Sequence, residues 1–437
     1  MSFMYSKRGS TEGFHNSGKG ENRLLRKKYL KFCLEIIFIL LIVTGGFKAL
    51  ENKKNSPVLE SDEPGWIFAG YYFNLYFLRF DLFHQDWSDY EAFDQPPLVK
   101  YIVGGSAYSK GYTVDSLNMK RLWNNLPVDK LHLFFDSIGH QIPNPAIVIP
   151  FTRSVIFFFA LSSLVLIYIS VRILYGGLAA LISTSLIISS PIHNYYSIRI
   201  LADPVLLFFF SLFFLLCGLY WKSQKSIYII LAFIASSFAF LTKLNGILLV
   251  PLLIITVLIK NKFSFSGPYI KSGVVGVSAF LLISLSLNPV YLNTGINALW
   301  KMFDVRASAF YVFQETYPNH ALLSVVDRFE YAMRIIFFKS GLFYPLIKIP
   351  VELFLFGIGI YYVFKRRDLF LVFVFIFLVI IPISIIPFKM PRYLYWVSPF
   401  ICIIAGLSSN LFKDIVSKKS LDHLKAIIGP LTKWHIS

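Results

Sequence analysis

The sequence has few charged residues and few cysteines for its length. Of its 437 residues, 15% are charged and 56% are hydrophobic. Because soluble globular proteins carry about 25% charged residues, this composition excludes an ordinary soluble domain. The three cysteines, Cys33, Cys217 and Cys402, lie in or at the end of apolar runs, and no pair has the spacing of metal ligands. We interpret them as small core residues of an all-α polytopic membrane protein.

Apolar runs near the length of about 20 residues that crosses a bilayer recur along the chain. We predict about ten membrane spans. They lie at residues 32–50, 148–172, 176–192, 203–221, 227–242, 245–259, 272–290, 343–364, 369–387 and 393–412. The turns on one side of this arrangement carry clusters of Lys and Arg, such as Lys365-Arg366-Arg367. The positive-inside rule makes that side cytoplasmic, together with both termini. The net charge of +18 therefore indicates orientation and contact with membrane lipids rather than nucleic-acid binding.

The predicted organisation is a basic cytoplasmic tail (1–31), a transmembrane domain (32–412) and a second tail (413–437). Two outer loops, 51–147 and 291–342, are long, and the first holds 12 of the 24 acidic residues. Apolar stretches within the first loop are short for a span and fit helices lying in the membrane interface. No cleavable signal is evident. A composition rich in Phe and Ile favours a prokaryotic inner membrane.

Two adjacent carboxylates, Asp62 and Glu63, follow the first predicted span. One interpretation is structural, because an Asp before Pro64 is a good N-cap for a helix that starts there. The other is chemical, because a carboxylate at the membrane surface could act as a general base. Both interpretations stay open from these residues alone.

Every short outer turn carries a cation. Ionisable groups at membrane depth are costly and usually functional. The alternative for each is a snorkelling residue at the interface. Together with the acidic pair, the cations suggest an outer pocket with one carboxylate base and several positive groups for an anionic headgroup. The residues concerned are Arg153, Arg199, Lys243, Lys389 and Arg392.

Taken in chain order, these motifs resemble the C-type (GT-C) glycosyltransferases. The motifs are "DE" after the first span, "PPL", an Arg opening the second span, an "R…D" turn, "LTK…G" and a late "K…RY". The resemblance is strongest to the branch with protein O-mannosyltransferases and the lipid A aminoarabinose transferase. It implies a membrane enzyme that takes a sugar from a polyprenyl-phosphate donor. The sugar passes with inversion to a glycan, lipid or protein acceptor on the outer face.

The resemblance also implies roles for individual residues. Asp62 matches the catalytic acid position and Glu63 is its partner. Positions near the donor phosphate are matched by Arg153, Lys243, Lys389, Arg392 and Tyr393. The sugar or acceptor pocket is matched by Gln95, Pro96, Pro97, Arg199 and Asp203. Many relatives have a charged or His residue where this chain has Gln95. Because the first outer loop lacks an Asp-x-Asp motif, no metal or other cofactor is required, and a divalent metal is left open.

Two other classes of protein compete with the enzyme. A transporter or flippase for a lipid-linked or anionic solute would also use charges within the membrane. Glu352, four residues after Lys348, fits that class or an ordinary i, i+4 pair. The sequence shows neither inverted repeats nor broken helices, which favours the enzyme. The intact acidic pair argues against a structural subunit that assists a partner enzyme.

Overall fold

The structure is a computed structural model of the 437-residue chain. The predicted tail 1–31, most of the tail 413–437 and the start of the predicted span 343–364 lie outside the residues that it describes. The structure describes residues 33, 35–48, 51, 53–56, 62–114, 142, 144–263, 267–295, 297–339 and 350–415.

The chain divides into a unit that ends at Asn52 and a second unit, Lys53–Ser437. Residues 35–48 of the first unit are helical. The main helices of the second unit are α1 (Glu63–Ala69), α2 (Leu98–Tyr108), α3 (Pro145–Tyr175), α4 (Gly177–Ser189), α5 (Ala202–Ser223), α6 (Ile227–Thr242), α7 (Leu249–Lys260), α8 (Gly267–Ser286), α9 (Asn297–Thr316), α10 (Val325–Met333), α11 (Val351–Arg366), α12 (Leu369–Ser384) and α13 (Ser398–Gly406). Shorter helical segments include Tyr71–Phe73, Asn74–Leu78, Tyr90–Asp94, Pro191–Tyr196, Leu244–Leu248, Val290–Thr294, Pro318–His320 and Pro391–Leu394.

Several of these helices are apolar enough to lie in a membrane. By length and composition, α3, α5 and α8 are long enough to cross it. Shorter apolar helices include α4, α6 and α12. The helical, membrane-type fold is therefore confirmed, whereas the count of ten spans stays a prediction.

Helix α5 lies at the centre of the second unit. It packs against α3 and α6. In its most apolar stretch 72% of the residues are buried, compared with 17% in the corresponding stretch of α8. Phe210, Phe213 and Phe214 of α5 have at most 1% of their surface exposed. A helix that is apolar on all sides is expected to be either surrounded by protein or exposed to lipid, and α5 and α8 illustrate the two cases.

Close packing brings α1 and α2 together at two glycines. A Cβ atom on Gly70, at the end of α1, would lie 2.8 Å from Cα of Gly104 in α2. A Cβ atom on Gly104 would lie 2.5 Å from Cβ of Phe73. Larger side chains at either glycine would separate the helices. This contact fixes α1, and therefore the two carboxylates at its start, against α2.

Candidate active site

The two adjacent carboxylates occupy the first turn of α1. Asp62 is the N-cap residue, Glu63 is the first helical residue, and Pro64 follows, as the sequence predicted. The side chain of Asp62 makes no capping hydrogen bond, so the structural interpretation does not explain it. Successive helical residues point about 100° apart, so the two side chains reach different surroundings.

Glu63 is completely buried among hydrogen-bond donors. Arg153 of α3 binds it bidentately, with Nε 2.8 Å from Oε1 and Nη2 2.7 Å from Oε2. The backbone N–H of Ile200 donates to Oε1 at 3.0 Å, and Nη1 of Arg199 lies 3.4 Å from Oε2. The Glu63 and Arg153 side chains are both 0% exposed. This carboxylate therefore joins α1, α3 and the segment before α5.

Arg153 uses its remaining donor on the backbone. Its Nη1 donates to the carbonyl oxygens of Lys54 and Ser56, at 3.0 and 2.8 Å. Each of its three nitrogens therefore contacts protein groups. Arg153 was predicted near the donor phosphate. The structure places it in the buried Glu63 cluster, and its phosphate role stays a prediction.

A second charged cluster lies around Arg392, in the segment between α12 and α13. Its Nη1 donates to Oδ2 of Asp62, which is 330 residues away in the chain. The guanidinium of Arg392 and the ammonium of Lys243 each lie 5.5 Å from the ring centroid of Tyr393. Lys243 in turn donates to Oδ1 of Asp203 at 2.8 Å. Two cations, two carboxylates and one aromatic ring thus meet at the end of the helix bundle.

Solvent reaches this second cluster. The side chains of Asp62 and Arg392 are 36% and 18% exposed. Burial acts to lower the pKa of Arg392, but Asp62, Tyr393 and Asp203 outweigh it and raise that pKa above its usual value. Arg392 therefore stays charged while it remains accessible to a ligand.

The other predicted site residues lie nearby but make different contacts. Nζ of Lys389 donates to the carbonyl oxygen of Asn319 at 2.9 Å. Gln95 follows the short helix Tyr90–Asp94, and Pro97 is the N-cap of α2, which packs against α1. The structure thus joins Asp62, Asp203, Lys243, Arg392 and Tyr393 in one cluster, and Glu63, Arg153 and Arg199 in another. The roles of all the predicted site residues stay predictions, including those of Lys389, Gln95, Pro96 and Pro97.

Lys100 was not among the residues predicted to form the site. This residue is 3% exposed and donates to the carbonyl oxygens of Glu91 and Ala92, and its Nζ lies 4.7 Å from the ring centroid of Tyr72. Burial lowers its pKa to about 7. A lysine within an otherwise apolar helical stretch was the available signal.

A buried stack of two rings lies behind the Arg392 segment. His193 is stacked on Tyr395, with ring centroids 5.4 Å apart, and both side chains are buried. Within the described segments, no group of three or more His, Cys, Asp and Glu residues could hold a metal ion. Among the described residues, Arg392 and Lys243 are two positive groups in the cluster that contains Asp62.

Comparison with known proteins gives a family match over part of the chain and a similar fold. Residues 150–285 match the family described as dolichyl-phosphate-mannose-protein mannosyltransferase. That segment contains Arg153, Arg199, Asp203 and Lys243. A comparison with curated proteins finds no match.

Two solved structures of ArnT from Cupriavidus metallidurans resemble the chain. The apo structure has a TM-score of 0.51 and 14% sequence identity over 91% of this chain. The structure bound to undecaprenyl phosphate has a TM-score of 0.50 and 14% identity over 90% of this chain. The chain spans 65% of the length of ArnT. At this identity the likeness concerns the fold. The predicted resemblance to GT-C glycosyltransferases and their fold is confirmed.

Proposed function

We propose that the protein transfers a sugar from a polyprenyl-phosphate donor to an acceptor hydroxyl on a glycan, lipid or protein. One observation carries this proposal: the accessible carboxylate of Asp62 contacts Arg392, beside Lys243 and Tyr393. Sugar transfer from a lipid phosphate needs a base for the acceptor and fixed cations for the leaving group. The second charged cluster contains both.

The donor phosphate would exchange partners with Asp62. Arg392 pairs with Asp62 in the structure, and a phosphate oxygen would compete for the same guanidinium. Arg is well suited to this exchange because it can bind two phosphate oxygens at once. Donor binding would therefore release Asp62 from Arg392 at the moment when the sugar is in place.

The transfer step then follows from the positions of these groups. The acceptor O–H proton passes to Asp62 while the acceptor oxygen forms a bond to the anomeric carbon. The bond from that carbon to the phosphate oxygen breaks, and its electron pair leaves with the phosphate. Arg392 and Lys243 stabilise the charge that develops there. A single displacement of this kind inverts the anomeric centre.

The solved ArnT structure bound to undecaprenyl phosphate supports the choice of donor, because that protein shares the fold. Sugar transfer also accounts for a site at the end of the bundle rather than midway along it. A polyprenyl phosphate carries its phosphate at headgroup depth and its tail among the lipids. The aromatic surfaces of the spans would border the tail.

We further propose that this site faces outward from a prokaryotic inner membrane, with both termini in the cytoplasm. The support is the distribution of lysines and arginines in the short turns on the other side. Cysteines placed singly at positions 85 and 365 in a chain without native cysteines test this orientation. Label should reach position 85 from outside only, and labelling of position 365 from outside would contradict the orientation.

A transfer assay on the purified protein tests the function. Radiolabelled polyprenyl-phosphate sugars would be supplied one at a time in nanodiscs, with glycan, lipid and peptide acceptors. We expect label to move from one donor to one acceptor class, and none to move from a nucleotide sugar used as a control. If no donor is consumed but intact donor crosses a proteoliposome membrane, the protein is a flippase and the proposal is wrong.

A further inference from the structure

The segment that carries Arg392 is joined to a distant part of the chain. We call residues Pro318–Ser324, between α9 and α10, the strap. The N–H of Leu322 donates to the carbonyl oxygen of Pro387 at 2.8 Å, and the N–H of Lys389 donates to that of His320 at 2.9 Å. These two bonds pair the strap antiparallel to the chain that follows α12.

Aromatic packing reinforces this pairing. Phe388 is bridged to Ala321 and has only 3% of its surface exposed. Its ring centroid lies 4.3 Å from that of Phe313 and 5.6 Å from that of Phe310, both in α9. The segment after α12 is therefore held both by backbone hydrogen bonds and by the end of α9.

Arg328 in α10 contacts both sides of the pairing. Its Nε donates to the carbonyl oxygen of Leu322 in the strap, at 3.2 Å. Its Nη1 donates to the carbonyl oxygen of Ser384, the last residue of α12. A single planar guanidinium thus connects the strap to the point where the Arg392 segment begins. Lysine has one donor centre and cannot reproduce this geometry.

The start of α10 fixes the position of Arg328. The Ser324 hydroxyl accepts from the N–H of Asp327, and the Asp327 carboxylate accepts from the N–H of Ser324, each at 3.0 Å. These hydrogen bonds lower the pKa of Asp327. This capping box sets the first turn of α10 and therefore the direction of the next side chain.

A short series of backbone hydrogen bonds leads from the pairing to Arg392. The N–H of Met390 donates to the carbonyl oxygen of Phe388 at 2.8 Å, and the N–H of Tyr393 donates to the carbonyl oxygen of Met390 at 3.2 Å. The conformation between the strap and Arg392 is therefore fixed over a few residues. A displacement of the pairing would move the Arg392 guanidinium away from Asp62.

We infer that Arg328 is a positioning residue for Arg392. It does not touch the reacting groups. By connecting the strap to the end of α12, it holds the Arg392 segment where its guanidinium can bind the donor phosphate. This inference rests on the proposed function for its kinetic consequence, but its structural part, the order of the Arg392 segment, can be measured without any substrate.

The kinetic test is a double-mutant cycle on donor use. Arg328→Ala should lower kcat/KM for the donor roughly ten- to a hundredfold, as displacement of a binding group by a distant change does. In an Arg392→Ala background, Arg328→Ala should cause little further loss, because the group that it positions is gone. Arg328→Lys should recover part of the activity. Arg334→Ala is the control, because Arg334 lies close to Arg328 in the sequence but forms only an exposed ion pair with Glu330.

Hydrogen exchange provides the second test and needs no donor. The Leu322 and Lys389 amides should be protected in the wild type and in Arg334→Ala, and should exchange faster in Arg328→Ala or, if that variant does not fold, in Arg328→Lys. Unchanged protection would overturn the inference, as would an equal kinetic loss in the presence and absence of Arg392. Absence of transfer by the wild type would count against the proposed function alone, and hydrogen exchange would then decide the positioning role.

Discussion

The two charged clusters differ although they begin at adjacent residues of the same chemistry. Glu63 and Arg153 are 0% exposed, and Glu63 accepts hydrogen bonds from α3 and from the segment before α5. Asp62 has 36% of its side chain exposed, and Arg392 reaches it from the short helix Pro391–Leu394. The first cluster connects helices in the interior, whereas the second is partly exposed and therefore accessible to a ligand. The chemical identity of a residue therefore does not decide its role; burial and partners do.

The largest expected effect comes from breaking the buried cluster. Glu63→Gln keeps the shape of the side chain but leaves Arg153 buried without its counter-charge. Loss of one partner of a buried ion pair destabilises proteins by about 3–5 kcal/mol. The free energy of unfolding, measured by denaturant in detergent, should fall by that order.

The matched control for Glu63→Gln is Glu330→Gln. Glu330 forms an ion pair with Arg334 at the same distance of 2.7 Å, but its side chain is 62% exposed. Exposed pairs contribute little to stability. We therefore expect almost no change for the control, and equal stability of the two variants would remove the distinction between the clusters.

A smaller effect is expected from changing the accessible cluster at Arg392. Arg392→Ala should lower kcat/KM for the donor on the order of 10²-fold, because it removes a contact that strengthens as the phosphate leaves. Arg392→Lys should recover only part, since lysine lacks the bidentate geometry. An interfacial snorkelling residue would instead tolerate lysine fully. Measurement of kcat/KM for the wild type and the two variants with one donor distinguishes these two roles. A wild-type value for Arg392→Lys would contradict phosphate binding.

A pH-dependent effect is expected at Lys100, which is buried like Glu63 but pairs with carbonyl oxygens. Its pKa is about 7, below the usual value of 10.5. Between these values the unfolded chain binds a proton that the folded protein does not. The contribution of Lys100 to stability therefore rises as pH increases through this range and is lost as pH falls towards 7.

Thermal unfolding of the wild type and Lys100→Met between pH 7 and pH 9.5 measures this contribution. The wild-type Tm should rise with pH relative to that of the variant, because methionine does not titrate. Parallel curves would show that Lys100 titrates normally. The comparison cancels the contributions of the other titratable groups that the two proteins share.

Helices were easier to predict from the sequence than contacts between them. The span expected at 227–242 coincides with Ile227–Thr242, because an apolar run bounded by polar turns indicates its own ends. The span expected at 393–412 is instead divided, with a short helix at Pro391–Leu394 and α13 beginning at Ser398. Aromatic residues between these helices pack against α5 and are buried, as for Trp396 on Phe210. An apolar run does not reveal such a break.

The candidate site residues came from the sequence, but the contacts between them did not. Residue type and order indicated Asp62, Lys243 and Arg392. The partners of each depend on contacts across long stretches of chain, such as the 330 residues between Asp62 and Arg392. A single sequence does not indicate which residues that lie so far apart in the chain come into contact. For the same reason the separation of Glu63 from Asp62 required the structure, because both occupy one motif.

We propose that Asp62, and not Glu63, acts on the acceptor hydroxyl. Single-turnover transfer with donor already bound measures the chemical step directly in the wild type and in Asp62→Asn. Asp304→Asn, which changes an exposed carboxylate on α9, is the control. We predict that Asp62→Asn folds and binds donor but transfers sugar at least about 10²-fold more slowly, as expected for loss of a general base. Transfer by Asp62→Asn at the rate of the control would contradict the claim.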